Sequence, residues 1–425
     1  MTFELNRLRA VLLALAMLLS AALVVQTVQP TAADAAKKTK AAKKKAKKKA
    51  KKKKGPKKGP AGLAFYNYKG KLPAARGKLI WQRNAGGAVP LRSAAVNKLV
   101  LYTSKSTTGK TVTVSGSVHI PKGKAPKGGW PVVTYGHGTT GIADKCAPTR
   151  NRKGGVADPY ISYTDPIMND WLKAGYAVVR SDYQGLGTPG THPFLVGVPA
   201  GRSVLDIVSA SRQLGFKVSN KFLIAGHSQG GHAALWAAGL ANSYAKDLKL
   251  RGTVSYSPAS NFKFIAQALG IYQDPNPLSA LATLLVRGNS VAYPEIDARQ
   301  LLSDEFLPFY KYTLTDCISE LVAEDKLASL APAKLIREGY DRTRMYEILD
   351  AQNPVVKTSA PVLLAQGTAD STTPKVLSDM LNDSLNGVGT KVDYKVYEGV
   401  DHGGVVNSAQ KDVLSFFKSR LPARR

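Results

Sequence analysis

The stretch Phe222-Leu223-Ile224-Ala225-Gly226-His227-Ser228-Gln229-Gly230-Gly231 constrains this chain more than any other. It opens with an uninterrupted apolar run, the pattern of a strand buried on both faces. The run ends in Gly-His-Ser-Gln-Gly, and a helix-forming run of small residues, Gly231 to Leu240, follows at once. A strand that turns this sharply into a helix lifts one serine, Ser228, above the edge of a sheet. Glycine is required at 226 and 230, because side chains there would collide with the neighbouring strand and helix. The same turn aims the backbone N–H of Gln229 at the place where an oxyanion would form.

A nucleophilic serine needs a base and an acid. The chain has six histidines: His119, His137, His192, His227, His232 and His402. On an elbow of this kind the partners follow in the order serine, acid, histidine. His232 lies inside the elbow helix with no room for an acid before it, and His227 precedes the serine, so both are expected to matter little. His402 alone satisfies the order. It sits in Gly-Val-Asp-His-Gly-Gly, after a strand expected at Lys391 to Tyr397 and before a helix-like run at Val406 to Leu421. The acid belongs after the preceding strand. Pro361 to Gly367 has that pattern, and Asp370 follows it. Asp370 would hold the imidazole of His402 in one tautomer and stabilise its protonated form. Asp401 is adjacent to His402 and poorly placed to face the same ring, while Asp379 and Asp383 fall on a surface helix.

Trp130 to Tyr135 reads as another core strand, and Gly136-His137-Gly138-Thr139-Thr140-Gly141 as the loop after it. His-Gly at this place resembles the oxyanion loop of many esterases. That resemblance makes Thr139 the second N–H donor beside Gln229, with Thr140 as the alternative. Tyr135 to Pro148, Ser181 to Gly187 (Ser-Asp-Tyr-Gln-Gly-Leu-Gly), Gly-His-Ser-Gln-Gly-Gly and the late Asp-His-Gly together resemble the α/β-hydrolase superfamily. More narrowly they resemble the bacterial branch of the secretory lipase family, related to lipase A enzymes. The resemblance covers about residues 78–421. It implies carboxylester hydrolysis and a helical cap over the active site.

The N-terminus reads as a secretory signal over residues 1–36. Arg7 and Arg9 precede the apolar run Ala10 to Val25, and Ala33-Asp34-Ala35 supplies a small-residue cleavage pattern. Residues 37–60 read as a disordered lysine-rich linker, with fifteen lysines and no acid between Lys37 and Lys58. The whole chain carries +31, and without those lysines and the signal +16 remains. For an exported chain the basic tail fits an anionic cell-wall polymer or membrane surface, or serves as a solvated spacer. Nucleic acid is a poor partner there. Cys146 and Cys317 are the only cysteines, and in an exported chain they point to one disulfide, the alternative being two free buried thiols. No cluster has the spacing of a metal site.

Residues 61–425 read as one α/β domain. Lys98 to Thr103 and Lys110 to Ile120 form an antiparallel opening pair. Strands then alternate with helices in a mostly parallel sheet flanked by helices on both faces, the α/β-hydrolase fold. Tyr176 to Ser181 and Gly252 to Tyr256 are further strands, and Arg202 to Leu214 a helix. An insertion of about residues 261–353 reads as a helical cap, with helices expected at Phe264 to Leu269, Leu278 to Val286 and Ile318 to Leu330. Phe306, Leu307, Phe309 and Tyr310 are candidates for an acyl pocket. The sequence thus points to a secreted serine hydrolase for lipid-like carboxylic esters, working through an acyl-enzyme and needing no cofactor. The rivals are an acyltransferase on the same triad, a peptidase, and a non-catalytic protein that binds anionic surfaces.

Overall fold

The computed structural model describes residues 55–423. The expected signal segment and the lysine-rich stretch up to Lys54 lie outside them. Nine strands form one sheet: β1 (Leu79–Asn84), β2 (Ala94–Lys105), β3 (Thr111–Pro121), β4 (Trp130–Gly136), β5 (Ala177–Ser181), β6 (Val218–His227), β7 (Lys249–Tyr256), β8 (Val362–Gly367) and β9 (Val392–Tyr397). Their spatial order is β1-β2-β3-β5-β4-β6-β7-β8-β9. The first three pairings, from β1 to β5, are antiparallel, and all later ones are parallel. The central strands are mostly apolar, and β4, β5 and β8 are buried at every residue, the polar Thr134, Arg180 and Gln366 included. That continuous burial is what a sheet covered on both faces demands.

Helices supply the cover. On one side α1 (Asp165–Lys173) packs Ile167, Met168, Trp171 and Leu172 with Phe416 and Phe417 of the C-terminal helix. On the other, α2 (Gly197–Ser211) presents Val204, Leu205, Ile207 and Val208, and α3 (Gln229–Tyr244) packs Ala233, Ala234, Ala237 and Ala238 into the same core. The alanines of α3 let it lie close against α2 and the sheet, which puts the start of α3 at the carboxyl edge of β6.

Three helices of the insertion, α4 (Phe262–Ala268), α5 (Leu278–Ala292) and α6 (Thr343–Ala351), share a separate apolar cluster with Leu301, Phe306, Leu321 and Leu327. The expected helix from Ile318 to Leu330 is not continuous. A helical turn runs only from Ile318 to Leu321, followed by a 3-10 turn at Leu327–Ser329. Between them the chain folds back, and Lys326 pairs with Asp316 at 3.5 Å. Phe306 is fully buried inside the cap cluster.

Two features at the amino-terminal edge differ from expectation. Strand β1 has no distinctive apolar alternation and is held by pairing to β2. The expected linker, up to residue 60, ends sooner: Gln82 of β1 donates its N–H to the Lys57 carbonyl, and Gly59 donates to the Gln82 carbonyl, both at 2.9 Å. Backbone pairing of this kind is indifferent to the lysine side chains, which is why composition placed the boundary too late. Cys146 and Cys317 form a disulfide across 171 residues of sequence.

Candidate active site

All the expected site residues lie beyond the carboxyl ends of parallel strands, where ligands of open α/β sheets bind. Ser228 follows β6 with φ 58° and ψ −118°, a region that non-glycine residues enter only when their surroundings force it. The neighbours do so here. A Cβ on Gly226 would run into the carbonyl of Gly230, and one on Gly230 into the carbonyl of Gly136 on β4. The Ser228 N–H donates to the Tyr256 carbonyl of β7 at 2.9 Å, and its own carbonyl accepts from His232 and Ala259. The turn is thereby pinned from three sides while Ser228 stays partly exposed.

Asp370, in the loop after β8, is 4% exposed. Its carboxylate accepts from His402 Nδ1 at 2.7 Å, from the N–H groups of Thr372 and Thr373 at 2.9 and 2.8 Å, from the Thr373 hydroxyl at 2.9 Å and from Gln366 Nε2 at 3.2 Å. Burial alone would raise its pKa. The hydrogen bond and charge of His402, with the N–H of Thr373, outweigh that and hold it at about 2. The loop carrying His402 is stitched to the acid loop, since Ala369 donates to the Val400 carbonyl and Thr368 to the Tyr397 carbonyl, both at 3.0 Å. Asp401 turns away and caps the Gly404 N–H at 2.7 Å. Asp379, on the helix after the acid loop, pairs with Lys375 instead.

Ser228, Gln229, His402, Gly138 and Thr139 line one cavity of about 1020 Å³. The structure therefore brings the expected serine, histidine and first loop threonine to a common space, with Asp370 behind the histidine. Thr140 is different. It is fully buried and not part of the wall, and its carbonyl accepts the Ile318 N–H at 3.0 Å. The far wall is apolar and comes from the cap: Leu281, Leu285, Ile318, Met345, Ile348 and Leu349 contribute to it. Phe306, Leu307, Phe309 and Tyr310, the candidates for this wall, do not line it. Sequence periodicity marked apolar cap residues but could not say which side of each short turn would face inward.

Three residues of the site escaped sequence reasoning. His192 donates from Nδ1 to the Gln184 carbonyl at 2.9 Å, so its Nε2 accepts the side-chain N–H of Gln229 at 2.9 Å. Burial holds His192 neutral, at about 4. His227, expected to matter little, has its ring centre 4.5 Å from that of His402. Tyr163 lies against His227 from the segment before α1. Their only sequence signal was the position of His227 beside the serine.

The chain is similar to several known proteins. The family model described as secretory lipase matches residues 159–423, more than half of the chain. A lipase A from Moesziomyces aphidis is 27% identical over 53% of this chain and 47% of its own length. A Mycobacterium tuberculosis protein described as a probable inactive lipase is 24% identical over 69% of this chain and 67% of its own. The crystal structure of Candida antarctica lipase A in its closed state superposes with a TM-score of 0.69 at 20% identity, covering 82% of this chain and 84% of that one. That likeness establishes a common α/β-hydrolase fold. The chain spans about half the length of the first curated relatives it matches. On the strength of the family match, the chain belongs to the secretory lipase family.

Proposed function

We propose that this protein is a secreted serine hydrolase that cleaves carboxylic esters of lipid-like acids through an acyl-enzyme. The observation that carries the reading is the 2.7 Å contact between His402 Nδ1 and the buried Asp370 carboxylate, with His402 and Ser228 on the wall of one apolar cavity. In this reading Ser228 Oγ attacks the ester carbonyl and His402 Nε2 takes its proton. Asp370 holds Nδ1–H in place and stabilises the imidazolium. The N–H groups of Gln229 and Thr139 receive the developing oxyanion. His402 then protonates the leaving alkoxide, and water deacylates Ser228 by the same steps in reverse. The apolar cap wall suits an acyl chain, and relatives that match at this level include secreted triacylglycerol lipases.

Family membership does not carry activity by itself, because one relative is described as probably inactive. The test is hydrolysis of chromogenic esters of rising acyl length by the wild type and by Ser228→Ala. The wild type should turn over and the variant should lose at least about a thousandfold in kcat while keeping its melting temperature. Added short alcohols in the same assay measure how much acyl group goes to an acceptor other than water. Comparable turnover by both proteins would refute the assignment of the nucleophile.

A further inference from the structure

His227 occupies the junction of three loops of the site. It ends β6, directly before Ser228, and its ring is 2% exposed. His227 Nε2 lies 2.7 Å from the backbone carbonyl of His402. A carbonyl oxygen can only accept, so this nitrogen carries the ring proton. Burial, then the nearby His402, keeps the ring neutral, with a pKa held down to about 3. A neutral imidazole has one N–H, which leaves Nδ1 as an acceptor. Its partner is the Tyr163 hydroxyl, which therefore donates. A Cβ on Gly138 of the oxyanion loop would sit 3.3 Å from that hydroxyl and 3.5 Å from His227 Nδ1, so the loop runs directly past both groups.

We propose that Tyr163 and His227 are positioning residues for His402: Tyr163 holds the His227 ring in place by donating to its Nδ1, and His227 anchors the backbone of the His402 loop. The inference rests on the triad reading above. Asp370 fixes only the Nδ1 side of the imidazole. Rotation of the backbone at His402 would still swing Nε2 away from Ser228, and the His227 bond stops that rotation. The two tethers act on different atoms, ring and backbone, and together determine where Nε2 points. A group that acts this way affects proton transfer and leaves substrate binding alone. A misplacement of the base by about 1 Å costs up to ~100-fold in rate.

The experiment compares wild type, His227→Leu, His227→Gln and Tyr163→Phe on a short soluble ester, with the rate of serine labelling by a fluorophosphonate measured in parallel. The expected result for His227→Leu is a kcat lower by roughly 10- to 100-fold at unchanged KM, with labelling slowed by the same factor. His227→Gln, whose amide N–H can reach the same carbonyl, should recover most of that loss. Tyr163→Phe keeps the ring packing but leaves His227 Nδ1 without its donor, loosens the ring, and should lose severalfold in kcat. Wild-type kcat in folded His227→Leu overturns the proposal, as does a rise in KM at constant kcat. If His227→Leu fails to fold, wild-type kcat in Tyr163→Phe overturns it. An inactive, unlabelled wild type would instead overturn the triad reading itself, and this inference with it.

Discussion

At the scale of single residues, the site depends on a carboxylate that remains ionised although it is buried. Asp370 accepts from two backbone N–H groups as well as from His402, so replacing it by Asn should leave the loop folded while inverting the hydrogen bonding toward His402. An amide N–H facing Nδ1 would select the wrong tautomer of the imidazole. The expected result for Asp370→Asn is a kcat lower by about 10³- to 10⁴-fold with little change in melting temperature. Steady-state kinetics beside calorimetry measure both, and near-wild-type kcat would exclude Asp370 as the orienting acid. That Ser228, Asp370 and His402 come together was legible because chain order and strand ends restrict the choice so severely. Tyr163 and His192 were not, because hydrogen bonds between residues 64 and 37 positions apart leave no local pattern. The contact of His227 with His402 was not legible either, because chain order says only that His227 is not the base and nothing about which loop its ring meets.

Among the elements, the connection between the oxyanion loop and the cap is the one with mechanical consequences. Gly141 pairs with Cys317 as an antiparallel bridge, Ile318 donates to the Thr140 carbonyl, and the Cys146–Cys317 disulfide lies beside both. Ile318 itself lines the cavity. One cap segment is thus bolted to the loop that carries Thr139, and the cap cannot shift there without moving that loop. Removing the disulfide with Cys146→Ser should cost about 2–5 kcal/mol of stability. It should also lower kcat on a short ester at temperatures where the protein is still folded. Chemical denaturation and assays below the melting transition read the two effects, and an unchanged midpoint would show that the backbone contacts alone hold the segment. The central strands and the long helices were readable from their apolar runs. The short cap turns were not, because each is held by tertiary partners such as Lys326 with Asp316, and periodicity over four residues is not distinctive.

Taken as a whole, the molecule stores a large part of its histidine below the surface. Five of the six histidines are buried, and burial lowers each: His137 and His227 to about 3, His192 and His232 to about 4, and His119 well below its ordinary value. Burial works in the opposite direction on Asp182 and Asp206, which rise to about 6, and it also raises Asp165. A lowered histidine gives stability that is present above its unfolded value of 6.5 and fades as the pH drops toward the folded value. A raised aspartate gives stability that is present at low pH and fades as the pH rises through its folded value. Five histidines outnumber three aspartates, so between about pH 6.5 and 4 the unfolded chain binds the more protons. The melting temperature should therefore fall steadily from pH 7 to pH 4, which a calorimetric series in matched ionic strength can follow. A flat or rising trend would mean that these rings are not kept neutral in the folded state.

The central claim, that Ser228 is the nucleophile of an acyl-transfer site, is tested most directly by locating a covalent adduct. The purified protein is treated with a fluorophosphonate, digested, and its peptides mapped by mass spectrometry. One adduct is expected, on Ser228, in the peptide that contains Gly226 to Gly231, formed rapidly in the wild type and at least about a hundredfold more slowly in His402→Ala. An adduct on another serine, or none in a protein that is demonstrably folded, would contradict it.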